Sequence, residues 1–210
     1  MAPVPAYVEQ GIASWYGAPF NGRRASDGEI YDMMLPVAAH RTLPFGSVVR
    51  VTNLNNGLHI DVRIIDRGPF VAGRVIDLSL AAARAINLVG PGTAPVRIEL
   101  LSSPLPLGGA FTVQVGAFTV RANADRLRTE LAAQYMRIFI QDYDAPNGHF
   151  FRVRVGREPN EDAAQKLAAM LKGENGLQTF VVRLDETQCC STSAPAAPPA
   201  AAPAPGGVLP

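Results

Sequence analysis

The stretch that most restricts the fold of this chain is residues 46–70, GSVVRVTNLNNGLHIDVRIIDRGPF. Two runs rich in β-branched residues flank Asn56-Gly57, the dipeptide preferred by tight primed turns, so the stretch predicts an antiparallel hairpin. In the second run every other residue from Ile60 to Ile64 is apolar, which predicts a strand with one buried face. The fold around this hairpin must therefore be rich in β-structure.

The neighbouring segments fit the same kind of domain. GIASWYG reads as a short strand, DLSLAAARAINL as a short Ala-rich helix capped by Ser79, and PVRIELL as a closing strand. Short strands, frequent turns and one or two short helices are typical of a small barrel. We assign residues 10–101 to this barrel and residues 1–9 to a lead segment.

A second unit follows a Pro- and Gly-rich linker, SSPLPLGG, at 102–109. Residues 110–185 show the order βαββαβ, with APNG as the turn of the central strand pair and Asn160 as the cap of the second helix. Two helices on one face of a four-stranded antiparallel sheet would leave the other face open.

Alternation along the strands predicts which side chains lie on that open face. One set is expected to point to the helices: Phe111, Val113, Phe151, Val153, Val155, Phe180 and Val182. The other set is expected to point outward: Gln114, Phe150, Arg152, Arg154, Val181 and Arg183. An aromatic plane, an amide and several guanidinium groups could bind a sugar or a nucleobase, although a plain solvated face fits the pattern as well. The strands lack the glycine–aromatic spacing of RNA-binding sheets.

Composition excludes several other classes of function. The net charge of +1 argues against binding nucleic acid, and no apolar run approaches the length of a transmembrane segment. Residues 1–10 lack the features of a signal peptide, so either the protein is cytoplasmic or a targeting segment lies outside this sequence. Cys189 and Cys190 form no disulfide framework, and the three histidines no metal spacing, so we predict neither metal nor cofactor. Residues 186–210 are Ala/Pro-rich and predict a disordered tail.

Two strands of the second unit have distinctive sequences, FTVQVGAF and FRVRVG. In these stretches the unit resembles the SPOR domain, a bacterial module that binds peptidoglycan glycan strands stripped of their stem peptides. The glycan-contacting positions of the family fall on Gln114, Ala117, Phe150 and Arg152. Ala117 departs from members that carry a polar residue there.

The first unit contains five stretches that together form a recognisable pattern: GIASWYG, GRRASDGEIYDM, AAHRTLPFGSVVRVTNL, NGLHIDVRIIDRGPF and RVIDLS. In these stretches it resembles the double-psi β-barrel domain of the rare lipoprotein A family of lytic transglycosylases. The resemblance implies a β-rich two-domain protein: a six-stranded double-psi barrel followed by an α+β, ferredoxin-like SPOR domain. The functional Glu, His and Asp of the family map onto Glu29, His40 and Asp66.

Each of these residues also has an ordinary structural role that the sequence leaves open. Glu29 could be a solvated turn residue, His40 a structural histidine, and Asp66 a turn cap or the ion-pair partner of Arg67. Asp77 is a further candidate carboxylate, with capping of the following helix as its alternative. Additional glycan contacts are expected at Trp15, Tyr16, Phe45, Arg41 and Arg67, of which the aromatic residues could equally belong to the core.

The resemblance implies an endolytic transglycosylase that cleaves peptide-free strands to 1,6-anhydro ends. It would act in the cell envelope or periplasm at the septum, alongside other divisome proteins, with an outer-membrane anchor in a full-length precursor. The sequence leaves two rivals open: a non-catalytic glycan-binding septal protein, and an expansin-like protein that loosens the wall without cutting it.

Overall fold

The computed structural model describes residues 7–145 and 148–184. The first part of the chain folds into a closed barrel with the strand order β1-β5-β2-β4-β3-β6. The strands are β1 (Val8–Tyr16), β2 (Val37–His40), β3 (Val48–Asn53), β4 (His59–Asp66), β5 (Arg74–Ser79) and β6 (Ala94–Ser102), and helix α1 (Leu80–Ala85) follows β5. The six-stranded barrel is confirmed.

Two parallel pairings, β1 with β5 and β2 with β4, lie among otherwise antiparallel neighbours. The barrel interior is filled by small and branched apolar side chains, including Val49, Val62, Ile64, Ile76 and Ile98. The expected alternation in β4 is therefore confirmed. Strand β1 begins at Val8, before the predicted start at residue 10, so Glu9 belongs to the barrel.

The β3–β4 hairpin exists, but its turn is not the predicted two-residue primed turn. The last pair of the register is Thr52 with His59, and the amides of Asn53 and Gly57 close the loop on Leu58 and Asn53. Gly57 has a positive φ of 73°, whereas Asn56 does not. A type I′ turn needs positive φ at both central residues, so the chain makes a longer loop instead. The predicted Ser79 cap of α1 is confirmed, since its hydroxyl accepts from the amide of Ala82.

The second part forms a sheet with the order β10-β7-β9-β8. Its strands are β7 (Ala110–Phe118), β8 (Ile138–Ala145), β9 (Gly148–Glu158) and β10 (Phe180–Leu184), and its helices are α2 (Arg121–Ala132) and α3 (Glu161–Asn175). Asn160 caps α3 by accepting from the amide of Ala163, as predicted. Part of the predicted APNG turn lies outside the described residues. The predicted tail, with Cys189 and Cys190, lies outside them entirely.

Pairing across the sheet corrects the predicted faces of β10. Val181 lies opposite Val113 and packs with the helices, and Arg183 lies opposite Phe111. Phe180 lies opposite Gln114, so Phe180 and Val182 share the outward face. The prediction failed because it counted β10 one residue out of register, and a shift of one residue exchanges the two faces of a strand.

The outward face of the sheet is defined here by Thr112, Gln114, Tyr143, Arg152, Arg154, Phe180 and Val182. The sequence suggested that this face is open, but in the structure it is buried. Gln114 is 3% exposed, Arg152 is 7% exposed and Arg154 is 1% exposed. The barrel meets this face at Phe70, which packs edge-on against Phe180 with ring centroids 6.0 Å apart. The two domains therefore share a buried interface.

Candidate active site

A β-bulge determines where Asp66 points. Ala38 pairs with Ile64, but the next residue, Ala39, pairs with Asp66, so Ile65 is an extra residue in β4. Ala38 lies in the barrel core, and Ala39 with its partners therefore points away from it. Without the bulge Asp66 would keep the orientation of Ile64 and point inward. Bulges often redirect a side chain in this way beside functional sites.

The Asp66 carboxyl accepts hydrogen bonds from a short turn in the segment that connects β1 to β2, and from the residue that follows it in the chain. Its Oδ1 accepts hydrogen bonds from the Ser26 amide at 3.1 Å, from the Ser26 hydroxyl, and from the Arg67 amide at 2.7 Å. Burial raises the pKa of Asp66, and these hydrogen bonds only partly oppose the effect. A carboxyl group with a raised pKa is suited to donate a proton at neutral pH.

We predict that Asp66→Asn raises the melting temperature at pH 7 by about 2–5 °C. Asparagine offers the same acceptor oxygen without a buried charge. Because the pKa of Asp66 is raised in the folded state, its stabilising protonation is present at low pH and lost as pH rises through that pKa. The difference between variant and parent should therefore disappear near pH 3. Thermal unfolding at both pH values tests this, and equal shifts at both would contradict it.

Glu29 lies in the same turn but has a different environment. Its carboxylate is 54% exposed and forms a two-pronged ion pair with Arg63, both distances being 2.8 Å. The hydrogen bond from Arg63 lowers the pKa of Glu29. Asp27, which sequence analysis passed over, accepts from the Glu29 amide, and burial raises its pKa. The turn and the end of β4 thus bring together two carboxyl groups with raised pKa, those of Asp27 and Asp66, and one with a lowered pKa, that of Glu29.

His40 is 2% exposed, and the hydrogen-bond partners of its ring do not include Glu29 or Asp66. Its Nδ1 accepts from the amides of Thr42 and Leu43, and its Nε2 lies 2.8 Å from Glu9. Burial lowers the pKa of His40, and an accepting Nδ1 requires the proton on Nε2. His40 is therefore neutral and donates to the Glu9 carboxylate. Burial opposes ionisation of Glu9, but its bonds from His40 and Tyr7 outweigh this and lower its pKa.

The backbone of His40 is linked to Asp66 by hydrogen bonds through Arg67. The His40 carbonyl accepts from Arg67 Nη1 at 3.0 Å, and the Arg67 amide holds Asp66. Glu9 is a residue that sequence reasoning missed, because it was assigned to the lead segment. Only the pairing of β1 with its neighbours brings it beside His40. Glu9 and His40 thus support the chain segment that positions Asp66.

We predict that Glu9→Ala lowers the free energy of unfolding by about 1–3 kcal/mol, because it leaves the buried Nε2–H of His40 without its acceptor. Glu9→Gln keeps an acceptor oxygen and should lose much less. Urea denaturation of the three proteins measures this difference. Equal losses for alanine and glutamine would show that the charge of Glu9, rather than its hydrogen bond, stabilises the barrel.

Asp77 lies on the same row of the barrel surface as Asp66, since both pair with Ala39. Two strand spacings put their backbones about 10 Å apart. Asp77 accepts from the Ser14 hydroxyl at 2.6 Å and pairs with Arg74 at 2.6 Å. It does not cap α1, a role that Ser79 fills.

The four other predicted glycan contacts of the barrel make structural contacts, either with the core or with the loops. Trp15 and Phe45 pack against the barrel core, and the Arg67 guanidinium lies 3.7 Å above the Phe45 ring. Arg41 donates to the carbonyls of Pro69 and Arg74. These four side chains therefore have structural contacts that fix the loops around Asp66.

Tyr16 is the barrel aromatic best suited to contact a ligand. Its ring stacks on Tyr31 at 4.4 Å, and its buried hydroxyl has no hydrogen-bond partner among the described residues. Burial raises the pKa of Tyr16, and the nearby charges of Asp66 and Asp77 add to the effect. Tyr16 thus lies close enough to both carboxyl groups to be affected by their charges.

On the second domain the four predicted glycan contacts differ in exposure. Ala117 is exposed and Phe150 is half-buried, whereas Gln114 and Arg152 are buried. The Arg152 guanidinium stacks 3.4 Å from the ring of Tyr143. Within the described parts of the chain, no cluster of three or more His, Cys, Asp or Glu side chains could hold a metal ion. Likewise, no helix described there is long and apolar enough to cross a bilayer.

Comparison with known proteins gives both domains a family. Residues 8–98 match the family described as "Lytic transglycolase", and residues 107–183 match the SPOR domain. The chain belongs to the RlpA family of lytic transglycosylases, with a double-psi barrel domain and a SPOR domain.

Several relatives are named "Endolytic peptidoglycan transglycosylase RlpA". That of Helicobacter pylori is 41% identical over 165 residues, covering 79% of this chain and 49% of the relative. That of Campylobacter jejuni is 40% identical over 162 residues, covering 77% and 54%. That of Vibrio cholerae is 55% identical over 100 residues, covering 48% and 38%. The chain thus spans about half the length of the first two relatives.

Proposed function

We propose that this protein is an endolytic transglycosylase that cleaves the bond between N-acetylmuramic acid and N-acetylglucosamine in peptide-free peptidoglycan. The observation that carries the proposal is the environment of Asp66, a carboxyl group that a bulge directs out of the barrel and whose pKa is raised by burial. The names of the relatives support the same substrate class.

In the proposed reaction Asp66 donates its proton to the glycosidic oxygen, and the bond from C1 of the muramic sugar to that oxygen breaks. The carbonyl oxygen of the 2-acetamido group of the same sugar attacks C1 and stabilises the positive centre. The 6-hydroxyl oxygen then displaces it at C1, and its proton passes to a carboxylate of the enzyme. The product carries a 1,6-anhydro end, and water takes no part.

Asp66 and Glu29 are suited to different halves of this reaction. Their environments move the two pKa values in opposite directions, which is the usual signature of an acid paired with an ionised partner. We assign the proton donor to Asp66 and the ionised carboxylate that receives the 6-hydroxyl proton to Glu29. His40, neutral and bonded on both ring nitrogens, is a positioning residue in this scheme.

The SPOR domain would bring the barrel to its substrate. We place the protein in the cell envelope, concentrated at the septum where peptide-free strands occur, with outer-membrane anchoring and divisome partners as further parts of the proposal. A fluorescent fusion exported to the periplasm should mark division sites in a way that depends on the SPOR domain. Uniform envelope fluorescence would count against septal targeting.

The decisive experiment is digestion of purified, peptide-stripped glycan strands with mass spectrometry of the products. Anhydro-ended fragments establish a lytic transglycosylase, and reducing-end fragments would mean hydrolysis. One observation favours the non-catalytic alternative: the sheet of the second domain covers the surface next to Asp66. Strand binding without any product would support that alternative, and wall loosening without cleavage would indicate an expansin-like protein.

A further inference from the structure

The contact between the two domains joins the two surfaces that we assign to the glycan. Phe70 follows Asp66, the last residue of β4, by four residues and lies on the connection between β4 and β5. The Phe70 ring packs on Phe180, and the Arg152 guanidinium lies 4.8 Å from its centroid. One short segment of the barrel therefore carries both the proposed acid and the anchor for the outward face.

Charges on the two sides are close enough to affect each other. The guanidinium of Arg152 is among the groups that oppose the raised pKa of Asp66. The pKa of Tyr143, on the same face, is raised by burial and by the charge of Asp66. Moving the outward face away would remove a positive charge from the neighbourhood of Asp66 and so favour the protonated acid.

Two further contacts fix the arrangement of the domains. The Arg183 amide on β10 donates to the Arg41 carbonyl of the barrel at 3.0 Å. The Arg183 guanidinium donates to the carbonyls of Pro106, Leu107 and Gly108, so the linker is fastened to the last strand of its own domain. The domains are not joined by a loose tether in this arrangement.

Three buried polar atoms on these surfaces lack hydrogen-bond partners among the described residues. They are Oε1 of Gln114 and Oε1 of Gln141 on the sheet, and the hydroxyl of Tyr16 on the barrel. Burying a polar atom without a partner costs about 1–3 kcal/mol. Sugar hydroxyls could satisfy all three. The contact therefore resembles a reversible cover more than a permanent domain core.

We propose that the free chain rests in a closed arrangement, with the outward face of the SPOR domain held on the barrel beside Asp66. A peptide-free glycan strand binds that face by displacing the barrel, and this movement uncovers the acid. The inference rests on the proposed function for its ligand, but closure itself is a property of the chain. The SPOR domain then acts as a substrate-operated cover as well as a targeting module.

Closure lowers the apparent affinity for glycan in proportion to the fraction of open molecules. If about 1–10% of the chain is open, the apparent dissociation constant is about 10–100-fold higher than that of the free face. A substitution on the barrel side can remove this penalty without altering any residue of the face.

Phe70→Ala provides that test, with peptide-stripped glycan strands as the probe. It removes the contacts with Phe180 and Arg152 while leaving the sheet unchanged, so we expect binding to tighten about 3–30-fold. The affinity of Phe70→Leu for the strands should lie between those of Phe70→Ala and the parent. Met136→Ala, at an 85% exposed position of the second domain, is the control and should bind like the parent.

Weaker binding by Phe70→Ala would mean that the strand binds between the domains. Unchanged binding would mean that the closed arrangement is not populated. Either result overturns the proposal.

A substitution on the SPOR side of the same contact tests whether the closed arrangement slows cleavage. Phe180→Ala leaves the barrel unchanged, so the initial rate on short soluble strands should rise several-fold. An unchanged or lower rate with intact folding would contradict a covering role.

A distance measurement separates closure from the proposed function. Spin labels at Asn55→Cys and Met136→Cys, in a Cys189→Ser/Cys190→Ser background, report the separation of two exposed positions, one on each domain. We expect one narrow distance in the free chain and a longer, broader one with Phe70→Ala or added glycan. If no glycan binds at all, the proposed function fails, and the Phe70→Ala distance still decides whether the free chain is closed. A broad distance in the free parent would exclude closure.

Discussion

Replacing Asp66 by asparagine is expected to lower the release of anhydro-ended products by about 10²–10⁴-fold, the usual contribution of a general acid. Asparagine can accept the same hydrogen bonds from Ser26 and Arg67 but has no proton to give. Because this variant should be at least as stable as the parent at pH 7, lost activity cannot be attributed to unfolding. Retention of more than a tenth of the parent rate would remove Asp66 as the acid.

The pH profile of the same reaction distinguishes the roles of the two carboxyl groups. Activity should fall at high pH as Asp66 loses its proton, and at low pH as Glu29 gains one. Glu29→Gln should be slower and should lose the fall on the acid side while keeping the one on the alkaline side. The matched control is Arg63→Gln, which frees the Glu29 carboxylate and should move the acid-side fall to higher pH. A profile of Glu29→Gln that retained both limbs would contradict its assignment as the ionised partner.

Phe150→Ala is expected to reduce capture of long peptide-free strands by about 10²-fold or more. A chain that binds the same strand through two domains gains avidity of about 10²–10⁴-fold over either domain alone, and loss of one site forfeits most of it. Phe150 lies opposite Tyr143 at the rim of the outward face, and its half-buried ring is available for stacking on a sugar.

Cleavage of short soluble strands should fall much less than capture of long ones in the Phe150→Ala protein, because the barrel is untouched and only the displacement of the barrel by the strand is weakened. The comparison of sedimentation with insoluble strands and the rate on soluble ones separates binding from catalysis. Met136→Ala again serves as the control on the second domain. Equal loss of both activities would show that Phe150 contributes to cleavage itself, contrary to a binding role.

Periodicity and capping in the sequence were enough to predict most of the local structure. The alternation from Ile60 to Ile64 predicted the buried face of β4, and Ser79 and Asn160 cap the helices that they were expected to cap. Such features depend on neighbours only a few residues away, and these are contained in the sequence itself. The family resemblance supplied the closure of the barrel, which no local pattern determines.

The failed expectations concern register, loop conformation and packing between distant segments. The faces of β10 were exchanged because a strand of five residues contains too little alternation to define its own register. The Asn56-Gly57 turn lengthened because Asn53 forms the loop hydrogen bonds and is itself held by the carbonyl of Ile86.

Glu29, His40 and Asp66 show most clearly what only the tertiary structure decided. The sequence contains their side chains, but their protonation depends on burial and on partners far away in the chain: Arg63 for Glu29, Glu9 for His40, and Ser26 for Asp66. The outward face of the SPOR domain is a similar case. Its residues on β7 and β9 follow from alternation, whereas those on β10 follow only from strand pairing, and its cover, Phe70 of the barrel, follows only from how the two domains pack. Local sequence determines what a strand can present, and long-range packing determines what remains accessible to a ligand.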